Sequence, residues 1–144
     1  MNELALLLKD FSWETYKEVS DSLMSFDDDN IDVEITRFSS MYSYYNALLS
    51  KAKEILNDLE HDLQVLEGTV RQTAKRSSAT KLTAKDLDDI VEINEDVIEK
   101  KKGVREAQSK YDLLRGLIRA LEAKKDMLIQ ASSNRRAEAK LYNQ

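Results

Sequence analysis

From Lys81 to Tyr142 the sequence reads as one unbroken helical stretch, and the whole 144-residue chain contains no proline to interrupt it. Thr83 followed by Asp86 has the spacing of a capping box, in which the hydroxyl accepts from a first-turn N–H and the acid reaches back to the cap, so a helix is predicted to begin at Ala84. Leu87, Ile90, Asn94, Val97, Lys101 and Val104 alternate at spacings of three and four, which aligns them on one seam. Past Gly103 the register slips by one and resumes through Ala107, Tyr111, Leu114, Ile118, Leu121, Lys125 and Leu128, marking a bend or a change of packing partner. A single helix from Ala84 to Ala139 would be roughly 80 Å long, beyond the width of a globule of this size, so an extended or oligomeric protein is expected.

A second seam precedes it. Ile35, Phe38, Tyr42, Tyr45, Leu49, Ala52, Leu56, Leu59, Leu63, Leu66 and Val70 keep the three-four alternation without a break. The aromatic residues, with Tyr44 beside them, read as core at this spacing, with a base-stacking platform as the alternative. The pattern ends at Lys75 and Arg76, and Ser77 to Thr80 leave too little chain for anything but an antiparallel turn. The expected fold is all-α: a long antiparallel, coiled-coil-like helical hairpin, residues 33–76 against 84–140. Ahead of it, Leu4, Leu7, Leu8 and Phe11 share one helical face, and Ser12 can cap a turn carrying Trp13, Tyr16, Val19 and Leu23. The domain division is therefore an acidic N-terminal helical segment, 1–30, and a hairpin domain, 31–144, with a basic C-terminal helix.

Charge is divided along the chain. Residues 1–36 hold ten acidic and two basic residues, whereas 101–144 hold five acidic and eleven basic, within a net charge of −5. Such asymmetry implies an anionic partner for the basic part or head-to-tail self-association, against the plain alternative of solvated helix faces. Without cysteine there are no disulfides, thiolate metal sites or thiol nucleophiles, and the apolar run Leu4 to Leu8 is too short for export or for a membrane span.

Catalysis has little to work with, and no catalytic residue, metal or cofactor is expected. The single histidine, His61, sits between Glu60 and Asp62, and Asp58 gives it a metal-like i, i+3 partner only once, where bundle di-metal sites use two such pairs. Asp27, Asp28, Asp29 and Asn30 could suggest calcium, but an EF-hand reading would place Asp32 at the required glycine and Phe38 at the required glutamate. An acidic connection leading into a helix is the expectation.

The richer constellation is basic. On a helix advancing ~100° per residue, Lys101, Arg105, Arg115 and Arg119 fall within an arc of roughly 80°, a stripe that a phosphate backbone could follow and that Asp112 interrupts. Lys124, Lys125, Arg135 and Arg136 extend the positive region, and Arg71, Lys75 and Arg76 crowd the end of the first arm. The competing reading pairs Lys101 and Arg105 with acids of a neighbouring subunit along the seam.

YSYYNALLSKAKEIL, a short polar break, and then LTAKDL, NEDV, KYDLLRGLIRALEAKKDMLIQ and RRAE together resemble the UvsY-type recombination mediators of tailed bacteriophages, over Ile31 to Glu138. The resemblance implies a small all-α protein in the host cytoplasm that assembles through its C-terminal helix into a ring-like oligomer of six or seven subunits. It further implies binding of single-stranded DNA without sequence preference, displacement of the single-strand-binding protein, and loading of a RecA-like recombinase. The family's Lys-x-Arg motif near the end of the first long helix is here replaced by LEGTVRQTAKR, where Arg71, then Lys75 and Arg76, stand in for it. The alternative function is a coiled-coil scaffold or adaptor of a phage, with no nucleic-acid partner.

Overall fold

The hairpin turn is set by the residues read as its cap. In the computed structural model, which describes residues 8–142, the Thr83 hydroxyl accepts from the Asp86 N–H at 3.2 Å and the Asp86 carboxylate accepts from the Thr83 N–H at 2.8 Å. Among the described residues four helices follow from this kind of local signal: α1 (Trp13–Met24), α2 (Ile31–Ser77), α3 (Ala84–Glu92) and α4 (Glu95–Tyr142). A single 3-10 turn, Asp28–Asn30, leads into α2, and no strand is present among the described residues. Ser12 caps α1 as its position predicts, accepting from the Thr15 N–H at 3.3 Å. Leu4 and Leu7, predicted on the face of Leu8 and Phe11, lie outside the described residues.

The two long helices, of 47 and 48 residues, pack together as an antiparallel pair. The second arm departs from the sequence reading where it begins. It is not one helix from Ala84: α3 stops at Glu92, Ile93 and Asn94 interrupt it, and α4 starts afresh. Asn94 is the reason. Its side-chain oxygen accepts from the Val97 N–H at 3.1 Å, the geometry of an N-cap, and Glu95 and Asp96 supply first-turn acids that complement the new helix dipole. The helix then runs through Gly103 without interruption, so the register slip predicted there is not where the backbone changes.

The chain divides into two packed units, Ala52–Ser109 and the described parts of Met1–Lys51 with Lys110–Gln144. In the first, the loop-side unit, Ala52 and Leu56 of α2, Leu87 and Val91 of α3 and Val97 of α4 are the buried apolar residues. In the second, the terminal unit, Leu8, Phe11, Ile31 and Leu48 join Leu114, Leu117, Ile118, Leu121 and Leu128. Burial of each such leucine contributes about 2 kcal/mol, which makes the Leu114–Leu128 stripe the strongest apolar seam of the terminal unit. The seam departs from the predicted register at its far end. It passes through Lys124, which is 2% exposed, and Lys125 faces outward.

Candidate nucleic-acid interface

The basic residues of the loop-side unit sit beside carboxylates of the same chain. Arg71 Nη2 lies 2.6 Å from Asp88 Oδ1, Lys101 Nζ 3.6 Å from Glu67 Oε1, and Lys100 Nζ 3.2 Å from Asp62 Oδ2. These pairs bridge the antiparallel arms, so Arg71, Lys100 and Lys101 are matched within the chain. All are water-accessible, and an exposed pair of this kind contributes about 0.2–1 kcal/mol, little enough for a phosphate to take the carboxylate's place. Lys75 and Arg76 are exposed in the last turn of α2, where their charge complements the negative end of the helix dipole. Arg105 is exposed on α4, and none of these last three has an ion-pair partner among the described residues.

In the terminal unit Arg115 and Arg119 stand one helical turn apart, both exposed and both without an ion-pair partner among the described residues. The stripe predicted along the second arm is therefore divided, with Lys101 and Arg105 in one unit and Arg115 and Arg119 in the other. Lys125 is exposed and lines a groove of about 630 Å³ with Ile35, Phe38, Tyr42 and Ile129. Phe38 and Tyr42 stack on each other with ring centroids 5.6 Å apart, and Tyr42 donates to Glu122 at 2.9 Å. Because Glu122 and Asp126 line the same groove, it offers a base-sized apolar wall but no net positive field for a phosphate.

Lys124 is the residue that the sequence pattern misplaces. Its ammonium is inside the terminal unit, donating to Glu34 Oε2 at 2.7 Å and to the backbone carbonyl of Leu23. A cation already paired within the fold is not available to a phosphate, so it falls outside any surface row. The physical signal is ambiguous: Lys124 and Lys125 both lie within a turn of Leu121 and Leu128, and spacing alone does not say which completes the seam.

The remaining candidates have ordinary surroundings. His61 is exposed and lines a shallow depression with Asp62, Asp96, Glu99 and Lys100. The Asp27 carboxylate accepts from the Asp29 N–H at 3.5 Å, the local turn geometry of an acidic connection. No grouping of three or more histidine, aspartate or glutamate side chains suited to a metal ion occurs among the described residues. No helix among them is long and apolar enough to cross a membrane. Comparison of the chain with protein families, with characterised proteins and with solved structures finds no match.

Proposed function

We propose that this protein is a recombination mediator of the UvsY type: it holds single-stranded DNA without sequence preference and so lowers the cost of nucleating a RecA-like recombinase on strand coated by single-strand-binding protein. The observation that carries the reading is the pair Arg115 and Arg119, one turn apart, exposed and unmatched by any carboxylate among the described residues. Lys75, Arg76, Arg105 and Lys125 are further exposed cations, and Arg71 and Lys101 can exchange a water-accessible carboxylate for a phosphate. In a homo-oligomer of six or seven chains, as the resemblance implies, each such pair is repeated, and affinity from counterion release grows with the number of phosphates neutralised. The test is fluorescence anisotropy of a labelled mixed-sequence oligonucleotide, single-stranded and duplex, at low and at physiological salt. Salt-sensitive binding that prefers the single strand, weakened alike for all sequences by Arg115→Ala with Arg119→Ala, is the expected outcome. Absence of binding by folded protein at low salt overturns it.

A second reading, a coiled-coil scaffold or adaptor, is favoured by the exposed apolar residues Met127, Ile129, Leu141 and Tyr142 on α4. On that reading assembly persists at high ionic strength and the oligonucleotide is ignored.

A further inference from the structure

The loop-side unit leaves an apolar channel open along one side. Two adjoining depressions of about 720 and 620 Å³ between α2 and the second arm share Leu66, Thr69 and Asp96, and so form one groove. It begins at His61 and extends past Ser77, following α2 for roughly 24 Å at ~1.5 Å per residue. Its apolar lining is unfinished core. Leu66, Val70, Leu82 and Ile90 are only half-buried and Val65 is 55% exposed, whereas Leu87, Val91 and Val97 of the second arm are buried. The hydroxyls beside them make no demand on an occupant: Thr69 donates to the Val65 carbonyl at 2.9 Å and Ser77 to the Thr73 carbonyl at 2.7 Å, each within its own helix.

The charge around the channel is predominantly of one sign. The arm that forms one wall carries seven exposed carboxylates between Ala84 and Glu99, against the single Lys85. Asp62, Asp96 and Glu99 themselves line the channel with Lys100, and Lys100 is held by Asp62 at 3.2 Å. Asp96 and Glu99 have no ion-pair partner among the described residues. A polyanion is repelled from such a place, and an uncharged helix leaves both carboxylates unmatched. An occupant with apolar anchors and cations on its flank satisfies both features.

We infer that this channel docks a cationic amphipathic helix of a partner protein, about sixteen residues long, whose apolar face enters between α2 and the second arm and whose lysines or arginines meet Asp96 and Glu99. The inference does not rest on DNA binding. It uses the acidic face of the loop-side unit, and none of the channel residues is among the cations assigned above to a strand.

Fluorescence anisotropy of two labelled designed peptides, each of about sixteen residues, tests it on the full chain. Both peptides carry leucines at helical spacings of three and four; one has lysines elsewhere and the other glutamates. The lysine peptide should bind and the glutamate peptide should not. Thr69→Trp, which fills the middle of the channel from an exposed position, should weaken binding by about tenfold or more. Asp96→Asn with Glu99→Gln should weaken it by about threefold and flatten its salt dependence, while Glu18→Gln with Asp21→Asn, an equal change of charge in the terminal unit, should leave it nearly unaltered. Circular dichroism of each variant checks that its helices are retained, and if Thr69→Trp does not fold, the charge variant against its control decides alone. No binding by the wild type, equal binding of the two peptides, or a lysine peptide that ignores the channel variants overturns the proposal. So does dissociation of the protein's own oligomer by Thr69→Trp in gel filtration, which would make the occupant a second copy of this chain.

Discussion

Lys124 joins three elements through one ammonium: it belongs to α4, pairs with Glu34 of α2 and holds the carbonyl of Leu23 in α1. Removing its charge leaves a half-sheltered carboxylate and an orphaned carbonyl. Lys124→Met should therefore lower the unfolding free energy by about 3 kcal/mol, the lower edge of the cost of breaking a buried pair, because Glu34 keeps 20% of its side-chain surface exposed. Adding Glu34→Leu should restore a large part of the loss, and a chemical-denaturation cycle over the two positions measures it; strict additivity would mean that the pair is not coupled. The opposite sign is expected at Gly68 and Gly103. Both are interior to long helices, with nothing within 4 Å of the place a Cβ would occupy, so alanine there should stabilise by about 0.5–1 kcal/mol in thermal or denaturant unfolding. At this scale the sequence is readable where residue type and position agree, as at Leu87, Val97, Leu114 and Leu121. It is not readable at Lys124, because a lysine in a seam is ordinarily solvated and its partner Glu34 lies ninety residues away in the chain.

Thr83 and Asn94 begin the two helices of the second arm, and only the first reads as a start in the sequence. Thr83 announces itself through Asp86 three residues on and the polar residues before it, whereas Asn94 falls on the apolar seam and reads as one polar interruption of a continuous helix. The acids Glu95 and Asp96 are the available clue, since first-turn carboxylates favour a helix N-terminus. Loss of either cap should cost about 1 kcal/mol, so Thr83→Ala and Asn94→Ala are each expected to lower stability by that amount. A gain in helicity with Asn94→Ala, measured by far-ultraviolet circular dichroism, would show instead that α3 and α4 fuse. The capping box also predicts a pH dependence. The Thr83 hydroxyl, followed by its backbone N–H, holds the Asp86 carboxyl below its ordinary value. A carboxyl depressed in the folded state stabilises above its unfolded pKa, and that contribution disappears as pH falls through the folded one. Amide exchange at the start of α3, corrected for its intrinsic rate, should therefore accelerate selectively below about pH 4, while Thr83→Ala abolishes the selectivity.

Across the whole molecule, two kinds of stabilisation are distributed unequally. Among the described residues the terminal unit holds four of the five largest fully buried side chains, Leu114, Leu117, Leu121 and Leu128, while the loop-side unit holds Val97 and relies further on the partly exposed pairs Arg71–Asp88, Lys100–Asp62 and Lys101–Glu67. Salt screens the second kind and leaves the first intact. The antiparallel arms are legible from their seams because apolar periodicity is a local property; the ion pairs between them are not, because matching Arg71 to Asp88 requires knowing the register of the closed hairpin. The same division of roles separates the cations by what they can give to a polyanion. Arg115 and Arg119 have no carboxylate to surrender among the described residues, so each phosphate they neutralise releases counterions in full, whereas Arg71 and Lys101 must first leave Asp88 and Glu67. Substituting Arg115 and Arg119 together by alanine should reduce the slope of log affinity against log salt by about 1.4 for single-stranded DNA, while Arg71→Ala with Lys101→Ala should reduce it by less. Anisotropy titrations over a range of salt concentrations decide the order. If the paired residues prove to carry the larger share, the strand runs along the loop-side unit, and the exposed arginines of the terminal unit are no more than its solvated surface.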